Sequence, residues 1–173
     1  MHLGLWVRRV AGGAVLSAAL ALAGTAQEEG TVTGLALPRF VSLKATEGFA
    51  RRGPARTYRV DWVFRRQGMP LRVLAEFGHW RRVEDRDGVG GWMHYALLSG
   101  MRTVIVEAGM APLRSAPRPE ATPAAYAEAG VIARLDECRA GWCRISADGA
   151  RGWVREDEVW GTDGDTGGDT GGD

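Results

Sequence analysis

Apolar and polar residues alternate over short spans of this chain, and no long stretch carries the 3.6-residue period of an amphipathic helix. Val60, Trp62 and Phe64 stand at alternate positions, so Tyr58 to Phe64 reads as a strand half-buried on one face. Phe40 to Leu43, Met69 to Phe77, Trp80 to Glu84 and Gly91 to Tyr95 read as further strands. Turns are expected at Arg65-Arg66-Gln67-Gly68 and from Ala96 to Gly100. Thr46 to Arg56 and Ala111 to Pro123 are rich in Gly, Arg or Pro and read as long loops. Thr122 to Glu128 reads as one helical turn with Pro123 at the first helical position. Gln27 to Gly34 reads as a polar lead-in.

The pattern occurs twice. Gly78-His79-Trp80-Arg81-Arg82-Val83, a charged turn and Gly91-Trp92-Met93 return as Gly141-Trp142-Cys143-Arg144-Ile145, a turn and Gly152-Trp153-Val154. Val41-Ser42-Leu43 is echoed by Val104-Ile105-Val106, and Leu97-Leu98-Ser99-Gly100 by Glu158-Val159-Trp160-Gly161. The offset drifts only from 63 to 61 residues, so the indels are short and belong in loops. Short strands, Gly-rich turns and two units of about 60 residues predict an all-β chain of two small domains. The divisions are 35–100 and 101–160. Only Met101-Arg102-Thr103 joins them, so the two units are expected to press against each other.

The ends differ from the repeats. Arg8 and Arg9 precede an uncharged, mostly apolar run of 15 residues, Val10 to Gly24, and then small residues at Gly24-Thr25-Ala26. That is the form of a secretory signal peptide over 1–26, with an uncleaved anchor as the alternative. The expected address is the periplasm or the exterior, with no membrane span once the signal is removed. From Gly161 to Asp173 the chain is Gly, Asp and Thr, with four Asp and no apolar residue, and is expected to be disordered. Export favours a disulfide between Cys138 and Cys143, which face each other across a hairpin turn. The matching residues of repeat 1 are Glu76 and Arg81, an opposite-charge pair, so both copies place attracting partners at one cross-strand position.

Charge is uneven: residues 38–100 carry 12 basic and 6 acidic residues, whereas 101–160 carry 8 and 9. A basic first repeat suits an anionic partner or attraction to the second repeat. No serine elbow, phosphate loop or zinc spacing is present, and the Asp-Gly tail lacks a full calcium loop. Cys143 with His79 or His94 would be the minimal nucleophile–base pair, but both His lie in repeat 1 and Cys143 in repeat 2. No catalytic, metal or cofactor role is therefore assigned. His79 and His94 read as surface or hairpin residues. Of the seven Trp, Trp92 and Trp153 read as core or barrel-closing residues. Strict alternation sets Trp80 on the face opposite Val83, toward an outer surface or the contact between repeats, unless a bulge reverses it.

The ordered set resembles the bacterial SH3-like domain. It comprises Ala50-Arg51-Arg52-Gly53-Pro54 with Tyr58, then Gly68-x-Pro-Leu-x-Val, Trp80-Arg81-Arg82-Val83, Gly91-Trp92-Met93 and Leu97-Leu98. It is similar to the tandem form found in short exported bacterial proteins, over roughly Leu37 to Gly161. The resemblance implies two packed SH3-like β-barrels and a peptide or cell-wall ligand. Repeat 2 has Ala116 for the loop glycine and no clear Tyr at the place matching Tyr58, Tyr126 lying further along, so the candidate groove is read in repeat 1. Tyr58, Trp62, Trp80 and Tyr95 with Arg51 and Arg52 form the candidate groove, its arginines suited to acidic peptides by cation–π and carboxylate pairing. The expected partner is peptidoglycan or a peptide segment, with an envelope protein as the alternative; export disfavours nucleic acid.

Overall fold

In the computed structural model, residues 28–166 are described. The signal expected at 1–26 and the tail from 167 onward lie outside them. A two-stranded ribbon, β1 (Glu28–Glu29) and β2 (Ala36–Leu37), leads in. The first repeat is β3 (Arg39–Leu43), β4 (Gly48–Arg51), β5 (Val60–Phe64), β6 (Pro70–Phe77), β7 (Trp80–Glu84), β8 (Gly90–His94) and β9 (Leu98–Ser99). The second is β10 (Thr103–Val106), β11 (Met110–Arg114), β12 (Pro123–Glu128), β13 (Ile132–Arg139), β14 (Trp142–Ala147), β15 (Ala150–Arg155) and β16 (Val159–Trp160). The sheets run β5-β4-β8-β7-β6-β3-β9 and β12-β11-β15-β14-β13-β10-β16, the same order shifted by one repeat. The all-β, two-unit architecture is as the sequence predicts.

Alternation builds each core. Leu71 and Val73 on β6, Val83 on β7 and Met93 on β8 point inward with Leu43 and Phe64. Val104, Val106, Leu113, Ile145 and Val154 fill the second core. The recurrent Gly-Trp step has a steric cause. A Cβ on Gly91 would sit 2.6 Å from the Arg51 carbonyl oxygen, and its φ of +154° is one that side chains rarely adopt. A Cβ on Gly152 would be 2.7 Å from the Leu113 carbonyl carbon. Glycine at these points lets β4 and β11 cross against β8 and β15.

Several local expectations change. The two segments read as loops contain β4 and most of β11, and Thr122 to Glu128 is mostly strand β12 rather than a helical turn. β4 was disguised by its small residues. Ala50 is wholly buried, and a Cβ on Gly48 would strike Leu43 and Met93, so size is limited where this strand passes over the core. The polar lead-in is part of repeat 1 as well. Its backbone donates from Val32 (3.0 Å) and Thr33 (2.9 Å) to the buried Glu76 carboxylate. The chain beyond Gly161 also continues in order to Thr166. Gly161 and Thr162 are buried, Asp163 pairs with Arg102 at 2.8 Å, and residues 163–166 form a 3₁₀ turn.

The short link does hold the units together. Thr103 Oγ1 donates to the Gly68 carbonyl at 2.7 Å, and Arg66 donates to the Gly130 carbonyl at 2.7 Å. Phe40 meets Trp160 edge-to-face at 4.9 Å, with the Arg102 guanidinium 5.7 Å from the Phe40 ring centre.

Candidate functional site

The β7–β8 hairpin sets the geometry. Its register pairs Trp80 with His94, Arg82 with Trp92 and Glu84 with Gly90. Because side chains alternate between faces, these residues share the outer face, while Val83 and Met93 point into the core. Trp80 therefore lies on the outer side, as strict alternation from Val83 requires. It packs edge-on against His94, ring centres 5.5 Å apart.

His94 is the hub of an aromatic cluster. Its ring lies 5.0 Å from Tyr95 and 5.9 Å from His79, which is itself 5.5 Å from Tyr95. Nδ1 of His94 accepts the Ala96 amide at 3.3 Å and caps the 3₁₀ turn Tyr95–Leu97. That bond requires an unprotonated Nδ1. Burial, with His79, Arg56 and Arg81 nearby, holds the His94 pKa below the ordinary imidazole range. Trp80, His94 and Leu97 form one wall of a cleft of about 350 Å³; Phe49, Arg51 and Arg56 also line it. The arrangement offers an apolar, partly aromatic trough bordered by two guanidinium groups.

Of the six residues read from sequence, Arg51 and Trp80 line this cleft, and Tyr95 is outside its lining, its ring tilted against those of His79 and His94. Arg51 is held by a 2.7 Å bond from Nη1 to the Tyr58 carbonyl. Arg52 instead faces a second cleft, of about 450 Å³, and pairs with Asp61 at 3.2 Å. Arg51 lines both. Tyr58 and Trp62 line neither. The Tyr58 ring lies over Gly53, where a Cβ would be 2.7 Å from it, and Trp62 is 48% exposed on edge strand β5. The single groove is thus two clefts meeting at Arg51. His94 was missed because only the hairpin register sets it beside Trp80, and Phe49 because its strand β4 was read as loop.

At the matching place repeat 2 has a charged cleft of about 310 Å³, lined by Gly141, Arg155, Glu156, Asp157, Thr162 and Gly164. Trp142 pairs with Arg155 as Trp80 pairs with His94, so Arg155, Glu156, Asp157 and Glu158 stand where repeat 1 has His94, Tyr95, Ala96 and Leu97. Arg155 is bound to Asp157 at 2.9 Å. Trp142 and Trp153 are buried, and the Arg139 guanidinium lies 4.6 Å from the Trp153 ring centre.

The anticipated cross-strand pair is present in both copies. Cys138 opposes Cys143 and is bonded to it; Glu76 opposes Arg81, with 3.4 Å between charged atoms. Glu156 lies beside the two sulfurs, but as a disulfide they offer no thiolate to a metal or to His79 and His94. Among the described residues no helix is long and apolar enough to cross a membrane.

A family model described as "Bacterial SH3 domain" matches the chain twice, at residues 44–100 and 107–161. No curated protein matches. Among solved structures, NlpC2 from Trichomonas vaginalis is similar at 16% identity and TM-score 0.34, over 70% of this chain and 47% of its own. NlpC1 from the same organism is similar at 16% identity and TM-score 0.35, over 86% of this chain and 51% of its own. The chain spans about half the length of each.

Proposed function

The chain belongs to the bacterial SH3 domain family, and from that membership we propose that it is a non-catalytic binding module of the cell envelope. Its first repeat holds peptidoglycan or a peptide segment. The observation that carries this reading is the trough between Trp80, His94 and Phe49, with Arg51 and Arg56 at its border, which repeat 1 has and repeat 2 replaces with paired charges. Aromatic walls give a ligand large contact area with little loss of side-chain freedom, and flanking guanidinium groups attract carboxylates. Export is supported by the apolar run Val10 to Gly24 and by the Cys138–Cys143 disulfide.

Co-sedimentation with purified peptidoglycan tests the reading. The protein is expected to pellet with the polymer at low and high salt, and Trp80→Ala or Arg56→Ala to release it. Binding that disappears with salt alone, and is indifferent to Trp80, would reduce the reading to a basic surface on an anionic polymer. A second reading, an envelope scaffold that binds another protein, is favoured by the exposed Trp62 on edge strand β5, whose free side could take an added strand. Cross-linking from position 62 to a protein partner, with no wall binding, would select it.

A further inference from the structure

The second cleft is built from the same strip of sheet as the first. Along β7 the outward positions are Trp80, Arg82 and Glu84; along β8 they are His94, Trp92 and Gly90. Arg51, Arg52, Arg82, Trp92 and Leu74 line the second cleft. Its acids are already engaged: Asp61 is shared by Arg52 (3.2 Å) and Arg59 (2.7 Å), and Glu84 accepts from Arg72 (3.0 Å). Arg82 is exposed and, among the described residues, has no ion-pair partner.

Repeat 2 shows what this place looks like when it is closed. Both repeats carry a bulge at the same point, after Val73 and after Leu135. Beyond it Ala75 opposes Arg82, whereas Glu137 opposes Arg144 and pairs with it at 3.6 Å. The bulged residue is Leu74 in repeat 1 but Asp136 in repeat 2, where it binds Arg151 at 3.2 Å. Two acids that neutralise the arginines of repeat 2 are thus replaced by two aliphatic residues in repeat 1. Of those two arginines Arg144 is kept, as Arg82, whereas Gly90 stands in the place of Arg151.

We propose that the Arg82 cleft is a carboxylate subsite, and that the ligand is an extended acidic peptide that crosses Arg51 from the aromatic trough. The spacing fits. Trp80 and Arg82 are two residues apart on one face, about 7 Å, which is also the distance between same-side residues of an extended peptide. An apolar side chain in the trough therefore places the carboxylate of the residue two positions on between Arg52 and Arg82. The inference rests on the peptide-binding reading above. Its failure is separable, because sedimentation through the trough does not depend on Arg82.

The test uses acetyl-Leu-Gly-Glu-amide and acetyl-Leu-Gly-Gln-amide, titrated calorimetrically into the full protein. The Glu peptide is expected to bind about tenfold tighter, the low end for a charge-assisted bond in a partly exposed site. Arg82→Gln should bring the two peptides to equal affinity, and Arg82→Lys should restore part of the difference. Ala75→Glu should also equalise them while keeping every arginine, since it recreates the pair that closes repeat 2. Unchanged melting temperatures establish that these variants fold. Equal affinities in the unsubstituted protein, or no binding of either peptide at about 10 mM, would overturn the proposal. So would displacement of the Glu peptide by an equal concentration of inorganic phosphate, which would mark a general anion site.

Discussion

Glu76 ties the lead-in ribbon to the first barrel, and replacing it by Gln tests that tie. Its carboxylate, with no exposed side-chain surface, accepts the Val32 and Thr33 amides, the Thr33 hydroxyl at 2.7 Å and Arg39 at 2.6 Å. Burial alone would raise its pKa; the hydrogen bonds from Thr33, Arg39 and Val32 outweigh burial and hold it at about 2, against 4.5 for a free Glu. At about 1.4 kcal/mol per pH unit, that difference corresponds to roughly 3 kcal/mol of stability at neutral pH. A depressed carboxylate contributes fully above its unfolded pKa and loses its contribution as pH falls through its folded one. The benefit is therefore complete above about pH 5 and drains toward pH 2. Urea unfolding of the protein and of Glu76→Gln, at pH 7 and at steps down to pH 2.5, reads the effect. The variant should be about 3 kcal/mol less stable at pH 7, and the gap should close steadily in acid. Because other carboxylates titrate in both proteins, the difference isolates Glu76. A gap below about 1 kcal/mol at pH 7, or one that stays constant with pH, would refute this role.

Three further outcomes are expected. Gly91→Ala should destabilise by roughly 2 kcal/mol or more, because the new Cβ meets the Arg51 carbonyl in a strained φ; a melting temperature within a degree of the parent would contradict it. Cys138→Ala with Cys143→Ala should cost about 2 kcal/mol, the low end for so small a loop, and calorimetry under non-reducing conditions measures it. His94 should titrate below the ordinary imidazole value of 6.5 by NMR. As pH falls through that depressed value, the Ala96 cap and ligand affinity should weaken together, with affinity full above it. Affinity unchanged across the pH range in which the His94 resonances titrate would separate the histidine from the cleft.

The repeat, the strand pattern and the cross-strand position shared by Glu76–Arg81 and Cys138–Cys143 were all legible in the sequence, because each is a matter of local spacing. The outward face of Trp80 followed from Val83 by alternation alone. Long-range contacts were not legible. Glu76 finds Thr33 across 43 positions, and nothing in Gln27 to Gly34 announces that its amides have a buried acceptor. Strand β4 was hidden because packing over Met93 demands Gly48 and Ala50, residues that look like loop. Tyr58 and Trp62 were drawn into the groove by nearness in sequence, while β5 carries Trp62 to the sheet edge and Gly53 takes the Tyr58 ring. The tail was begun too early because Gly161 looks like its neighbours. In fact it passes so close to the Thr103 carbonyl that a Cβ would come within 2.7 Å.

The division of labour between the repeats is tested most directly by following the Trp indole N–H signals in NMR spectra while soluble peptidoglycan fragments are added to the full protein. Trp80 and Trp92 should shift in a saturable way, while Trp142 and Trp153, held under charged partners in repeat 2, stay in place. Shifts centred on Trp142 and Trp153, or none at any tryptophan, would contradict a binding site in the first repeat.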